Sequence, residues 1–302
     1  MKAIRQMLDR ALHFGMQELE LSGGEPLVLG KTPILEIIRY ASSRDVVTTL
    51  NTNTWFLDER CVLDLNDAGL DRVKSSLYGT SCRTHDDFTR KEGSFTKVTG
   101  ALGFLRETEI EVWINYVVTP KNMDEASGLS GLLEPYAVDT IQLSSIVPSG
   151  RGTTAQAYTF GDGELGSVTE RLEVLFKDSK RRNVSFTTSL YAHPHIYPFR
   201  DRYCDYLKDR LVVDPSGYVI PCCILPGILR SRAGSIVQED LDCILSSQRL
   251  ENKPIFCWLA KGHKAMRERL AFEEESNNLC SSCIKMLTNL THVRQPVQAA
   301  RG

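Results

Sequence analysis

The sequence predicts an α/β fold built on a parallel sheet, followed by a smaller cysteine-rich region. Three observations carry that prediction. Short apolar strands alternate with helical stretches through the first half of the chain. The segment after each strand is small and polar. Seven of the nine cysteines lie beyond residue 200, at Cys204, Cys222, Cys223, Cys243, Cys257, Cys280 and Cys283.

The elements follow in order. Ile4, Met7, Leu8, Ala11 and Leu12 recur at helical spacing, so residues 2–14 read as a helix. A buried strand is expected at 16–22, then helix 32–43, strand 46–51, helix 58–68, strand 71–77, helix 94–107, strand 110–118, helix 122–134 and strand 138–147. A helix from Glu164 to Arg182 and a strand at 184–188 complete the alternation, which calls for right-handed βαβ units. A helix stands before the first strand, whereas a βα repeat normally starts on a strand. The expectation is therefore of a further strand upstream, without which the sheet would keep an unpaired edge. Past residue 200 the texture changes. Arg210 to Cys222 has two β-rich arms around Pro215-Ser216-Gly217, a hairpin signature. Helices near Leu241–Ser247 and His263–Glu275 precede Cys280-Ser281-Ser282-Cys283, and periodicity is lost after Leu290.

Composition excludes several classes. At 302 residues and 42% hydrophobic the chain can bury a large core. Its net charge of -2, with no basic cluster longer than Lys180-Arg181-Arg182, argues against nucleic acid as a partner. No apolar run approaches the roughly 20 residues of a membrane span. The expected setting is the cytoplasm, where clustered cysteines favour metal or iron–sulfur ligation over disulfides.

In a parallel sheet the working groups sit at the C-terminal strand ends. Here those ends read Ser22-Gly23-Gly24-Glu25, Asn51-Thr52-Asn53, Ser75-Ser76-Leu77-Tyr78-Gly79, Thr119-Pro120-Lys121-Asn122 and Pro148-Ser149-Gly150-Arg151. Five such loops in sequence describe a ligand mouth. In the first, paired glycines let backbone carbonyls approach a ligand, and carbonyls with the Glu25 carboxylate can receive a cationic donor. The ordered set, with His85-Asp86-Asp87, Gly93-Ser94-Phe95 and Asn115-Tyr116-Val117-Val118-Thr119, resembles the core of radical S-adenosylmethionine (SAM) enzymes that carry a C-terminal SPASM or twitch domain. The resemblance spans about residues 2 to 285.

It implies a partial (β/α)6 barrel over residues 1–188, a SPASM/twitch-like domain over 189–290 and a tail over 291–302. It also implies SAM held against a [4Fe-4S] cluster at the barrel mouth. By position Gly23, Gly24 and Glu25 would take the methionine amino group, and Pro26 would stiffen their loop. Asn51 or Asn53, with Ser75 or Ser76, would face the ribose or the methionine carboxylate, and Arg151 could pair with that carboxylate. The family's Cys-x3-Cys-x2-Cys loop, which holds the SAM-binding cluster, is not in this sequence. In the family it follows the strand that is also missing here, so the resemblance implies an N-terminally truncated chain, inactive as given. At the other end Cys204, Cys222, Cys280 and Cys283 supply four thiolates, with Cys223 and Cys257 as alternates. Spacing alone suits zinc as well as iron, and the resemblance favours one auxiliary [4Fe-4S] cluster.

The activity implied is hydrogen abstraction by a 5′-deoxyadenosyl radical, fed by an electron donor, in a peptide- or protein-modifying maturase. A small-molecule oxidoreductase is the alternative within the family. A non-catalytic barrel with a structural four-cysteine metal site is the alternative outside it. Other candidates have simpler readings. His193-Pro194-His195 reads as a loop, Asp86 as a helix cap, Cys61 and Cys82 as incidental thiols, Cys243 as packing and Arg267–Glu275 as a solvated helix face.

Overall fold

The computed structural model describes residues 1–146, 155–160, 168, 172, 185–188, 210–220 and 232–246. The chain divides into two compact units, Met1–Ile146 with Ala157–Leu190, and Val147–Gln156 with Tyr191–Gly302.

In the first unit the described elements run α1 (Lys2–His13), β1 (Glu18–Leu21), α2 (Thr32–Ser42), β2 (Val47–Thr52), α3 (Glu59–Asp67), β3 (Arg72–Leu77), α4 (Cys82–Thr89), α5 (Ser94–Leu105), β4 (Glu111–Val118), α6 (Leu129–Leu133), β5 (Thr140–Ser145) and β6 (Ser185–Thr188). The six strands form one sheet in the order β1-β2-β3-β4-β5-β6, and every neighbouring pair is parallel. Sequential order with parallel pairing is the topology the alternation demanded. No described helix is long and apolar enough to cross a membrane.

The sheet has two unlike faces, because side chains alternate along a strand. On β4, Val112, Ile114, Tyr116 and Val118 are buried, and Glu111, Trp113, Asn115 and Val117 between them are half-buried. The buried set continues across the sheet as Leu50, Val73, Leu77, Ile141 and Leu143, packed with Ile38, Leu65, Leu102 and Leu105 from the helices. The opposite face is largely polar, with Asn51, Lys74, Ser76, Asn115 and Gln142 beside Trp113 and Val117. A doubly wound sheet would be apolar on both faces. One apolar and one polar face is the arrangement of a barrel wall, with helices outside and a ligand side within.

Three local expectations are corrected. β1 is half-exposed rather than buried, because it is an edge strand paired only with β2. The stretch 82–89, unassigned from the sequence, is a helix started by Ser81, whose Oγ accepts from the Thr84 amide. The single helix expected at 122–134 is broken into a 3-10 turn (Met123–Gly128), the five-residue α6 and a second 3-10 turn (Glu134–Tyr136). Gly128, Gly131 and Pro135 disfavour a continuous helix there.

The N-terminal strand ends are pegged by one repeated device. The Asp71 Oδ2, just ahead of β3, accepts from the Thr48 amide of β2 at 2.7 Å and from the Thr48 hydroxyl at 3.0 Å. The Asp139 Oδ2, just ahead of β5, accepts from the Val112 amide of β4 at 2.7 Å.

In the second unit β7 (Val212–Val213) and β8 (Val219–Ile220) form an antiparallel hairpin, as the sequence indicated. Its turn is held by Asp214, whose Oδ1 accepts from the Ser216 and Tyr218 amides. Gly217 has a φ of 81°, and an added Cβ would sit 2.5 Å from a Val237 methyl. Residues 233–236 pair beside the hairpin through Val219 N–H to Gly234 O and Ala233 N–H to Val219 O, both 2.9 Å. Helix α7 (Leu241–Leu245) buries Leu241 and Ile244 and leaves Cys243 exposed, so this thiol does not pack as its sequence position suggested.

Replacing Asp71 by Ala is expected to cost about 1–3 kcal/mol, since it strands the buried Thr48 amide without its partner. Urea unfolding of Asp71→Ala against the parent measures this, and a change under about 0.5 kcal/mol would refute the pegging role.

Candidate cofactor-binding site

The site is built where β1 ends. Gly23 and Gly24 take φ of 97° and 65°, a region open to glycine and strained for other residues. An added Cβ at either would meet nothing within 4 Å, so backbone conformation rather than crowding requires glycine here. Glu25 follows in an extended conformation and caps a 3-10 turn (Pro26–Leu29) by accepting from the Leu27 amide at 3.1 Å.

The Glu25 carboxylate also reaches across to β2. Its Oε1 accepts from Thr52 Oγ1 at 2.8 Å, and its Oε2 accepts from the Asn53 amide at 2.8 Å. Thr52 Oγ1 in turn accepts from the Thr54 amide, and Asn53 Oδ1 accepts from the Trp55 amide. Three donors from the chain itself thus occupy Glu25. The Gly23 and Gly24 carbonyls accept no hydrogen bond among the described residues. A cationic amino group at this loop would find acceptors on the Gly23 and Gly24 carbonyls and at the remaining position of Glu25 Oε2, with the Glu25 bonds fixing where they point.

The structure separates the paired candidates on β2 and β3. Asn51 lies on the polar face, where its Nδ2 donates to Glu20 Oε1 at 3.3 Å and Ser22 Oγ at 3.4 Å. Asn53 lies beyond the strand with its side chain committed to the local turn. Ser76 shares the polar face with Asn115, its register partner on β4. Ser75 points the other way and is fully buried on the helix side, its hydroxyl without a partner, so strand alternation removes it from the ligand face. Arg151 and the cysteines 204, 222, 223, 257, 280 and 283 lie outside the described residues, as do His193 and His195. Among the described residues no cluster of three or more metal-ligating side chains occurs.

Two further straps join the loops after β3 and β4, and the sequence reading did not single them out. Asn122, 1% exposed, accepts the Thr119 amide at 2.7 Å and donates to Tyr78 O at 2.9 Å and Val117 O at 2.8 Å. Tyr116, buried on β4, donates its hydroxyl to Asn122 O at 2.9 Å. Glu125 accepts from the Thr80 amide at 2.6 Å and from the hydroxyls of Thr80, Ser81 and Thr84. The available signal was a cluster of Asn, Glu, Ser and Thr at two adjacent strand ends, where amide and carboxylate groups compete for loop amides.

His85 and Asp86 have structural tasks. Asp86 accepts from the Gly93 and Phe95 amides and the Ser94 hydroxyl, all within 2.8 Å, which caps α5. Desolvation would raise its pKa, but those hydrogen bonds together hold the carboxyl below its ordinary value. His85 is 1% exposed, accepts the Tyr78 amide on Nδ1 at 3.2 Å and lies against Tyr78 and Phe95. Burial lowers its pKa from 6.5 to about 4, against a smaller opposing pull from Asp86.

Two outcomes follow for these residues. Protonation of His85 is disfavoured in the folded chain, so its contribution is intact above pH 6.5 and is lost as pH falls toward about 4. The loss by pH 4 is about 3 kcal/mol. Urea unfolding from pH 7 to 4 should show His85→Asn, which keeps an acceptor for the Tyr78 amide, losing less stability than the parent; parallel curves would contradict this. Asn122→Ala should cost about 2–4 kcal/mol by removing the side-chain partner of the buried Thr119 amide and of the part-buried Tyr78 and Val117 carbonyls, and a near-neutral result would remove its strap role.

Comparison with known proteins agrees with this geometry. Residues 1–129 match the radical SAM superfamily and residues 204–284 match the SPASM iron-sulfur cluster-binding domain. An AdoMet-dependent heme synthase of Methanosarcina barkeri is 29% identical over 160 residues, 53% of this chain and 45% of its own. A PqqA peptide cyclase of Granulibacter bethesdensis is 23% identical over 222 residues, 72% of this chain and 57% of its own. The chain thus spans about half the length of these curated relatives. The crystal structure of Streptococcus suis SuiB bound to precursor peptide SuiA shares the fold, with a TM-score of 0.66 at 15% identity over 82% of this chain and 59% of that one. A strapped glycine loop at the first strand end and a six-stranded parallel sheet thus accompany a radical SAM superfamily match over residues 1–129 and a SPASM iron-sulfur domain match over residues 204–284.

Proposed function

We propose that this chain forms the cofactor- and substrate-holding body of a radical SAM enzyme that modifies a peptide or protein. The observation that carries the reading is the loop at 23–25, whose Gly23 and Gly24 carbonyls accept no hydrogen bond among the described residues while the Glu25 carboxylate braces the loop against β2. The cofactors of such domains are SAM and [4Fe-4S] clusters. When bound, they supply a 5′-deoxyadenosyl radical that takes a hydrogen atom from the substrate.

The chain's own residues bind and orient. Gly23 and Gly24 offer carbonyls to the methionine amino group, and Pro26 starts the 3-10 turn that Glu25 caps. Asn51 and Ser76, on the polar face, offer amide and hydroxyl groups to the ribose or the methionine carboxylate. Arg151 is assigned to that carboxylate as a bidentate donor. Cys204, Cys222, Cys280 and Cys283 are assigned to one auxiliary cluster, with Cys223 and Cys257 as alternates. The 302 residues contain no Cys-x3-Cys-x2-Cys set, so no chemical step at the SAM-binding cluster is assigned to them.

The peptide reading is supported by the peptide-cyclase relative, whose match runs over 72% of the chain. A small-molecule substrate is the second reading, favoured by the higher identity, 29%, to the heme synthase. A short precursor gene, where one neighbours this gene, separates them. Its synthetic product should bind the chain with a micromolar constant, and absence of binding while a tetrapyrrole binds would reverse the order.

Two measurements test the sites. Equilibrium dialysis with labelled SAM should show binding that Glu25→Ala weakens at least tenfold, about 1.4 kcal/mol. Equal binding by parent and variant would reject the loop assignment. Anaerobic reconstitution should return about four irons per chain, one cluster's worth, and Cys283→Ala should lower that. Stoichiometric zinc instead would favour the non-catalytic barrel.

A further inference from the structure

The polar face of the sheet holds a second constellation, one row deeper than Ser76 and Asn115. Asn51, Lys74 and Trp113 are register partners on β2, β3 and β4, so they form a transverse row. That row lies two residues, about 6.6 Å, toward the N-terminal strand ends from Ser76.

The row below it fixes the indole. Glu111 Oε1 accepts from Trp113 Nε1 at 2.7 Å, and Glu111 Oε2 accepts from Arg72 Nε at 2.8 Å. The Arg72 guanidinium lies 4.2 Å from the centre of the Trp113 ring. Arg72 and Glu111 neutralise one another, and both Glu111 oxygens are occupied. Lys74 has no such partner among the described residues. Its ammonium is 6.0 Å from the Trp113 ring, and no carboxylate of the described residues lies within ion-pair distance of it. Glu20, also on this face, is two strands away, about 10 Å in the sheet, and is engaged with Asn51.

The ammonium of a half-buried lysine beside a fixed aromatic ring, with an amide residue as its register partner on the next strand, is a receptor for an anion carried on a compact carbon skeleton. From this juxtaposition we propose that Lys74, with Asn51 and Trp113, is a specificity subsite that receives a carboxylate of the substrate, such as a glutamate side chain of a peptide. The proposal rests on the reading of the polar face as the substrate side. It goes beyond that reading in naming the charge and depth of the group received. The methionine carboxylate of SAM has the same chemistry, so the test separates the two sources.

The three tryptophans, Trp55, Trp113 and Trp258, can be followed separately by 19F NMR of 5-fluorotryptophan-labelled chain, with Trp113→Phe assigning the resonance. The probes are acetyl-Ala-Glu-Ala-amide, its Gln counterpart at millimolar concentration, and SAM. The Trp113 signal should move with the Glu peptide at least tenfold more tightly than with the Gln peptide. Lys74→Met should abolish the response, Lys74→Arg should retain it, and unchanged Trp55 and Trp258 signals show that both variants are folded. Equal response to both peptides, no response of Trp113 to either, or a Glu response that survives Lys74→Met overturns the proposal. So does a Trp113 response to SAM that Lys74→Met removes, since Lys74 would then serve the cofactor. Failure of SAM to bind at all speaks against the cofactor loop alone, because the peptide arms do not require it.

Discussion

The mouth of this barrel depends on the Glu25 carboxylate. It accepts hydrogen bonds from Leu27 in its own loop and from Thr52 and Asn53 at the end of the next strand. Charge-assisted bonds of this kind are roughly twice as strong as neutral ones. They tie a loop containing two positive-φ glycines to the edge of a regular sheet, where the glycines alone would leave it loose. Asn122 and Glu125 repeat the device between the third and fourth loops. Each strap joins neighbours, so the strand-end loops are set before any ligand arrives, and less ordering cost falls on binding.

The same division runs through the sheet. Alternation sends Val73, Ser75 and Leu77 toward the helices and Arg72, Lys74 and Ser76 toward the opposite side. The helix side supplies stability through an apolar core, and the polar side supplies chemistry. Ser75 shows the limit of the separation, with a buried hydroxyl that has no partner among its apolar neighbours. Ser75 is the register partner of Thr52, whose hydroxyl donates to Glu25.

Much of this was legible in the sequence. The period-2 and period-3.6 patterns located the strands and most helices, because burial on one face is what those periods encode. The Gly-Gly-Glu-Pro loop and the polar strand ends located the mouth. The division of labour within it was not legible. Glu25 was read as a ligand group, and its bracing bonds to Leu27, Thr52 and Asn53 were not foreseen, because a carboxylate at a strand end is equally suited to loop amides and to a cation. Ser75 and Ser76 could not be separated without the register that assigns faces. Asn122 was placed in the fourth loop, but its bridging role was not legible because it depends on Tyr78, 44 residues away along the chain. Lys74 looked like any strand lysine until Glu111 proved to be committed to Arg72 and Trp113.

The central claim is that the mouth is held preformed by the Glu25 carboxylate, which braces its own loop against the end of β2. Amide hydrogen exchange at Asn53 tests it most directly, because this amide belongs to an exposed loop residue whose protection depends on Glu25 Oε2 alone. Without any ligand the Asn53 amide should exchange at least a hundredfold more slowly than an unprotected loop amide, about 2.7 kcal/mol of protection, and Glu25→Gln should remove most of that protection. Exchange at the unprotected rate in the parent chain would contradict a preformed mouth.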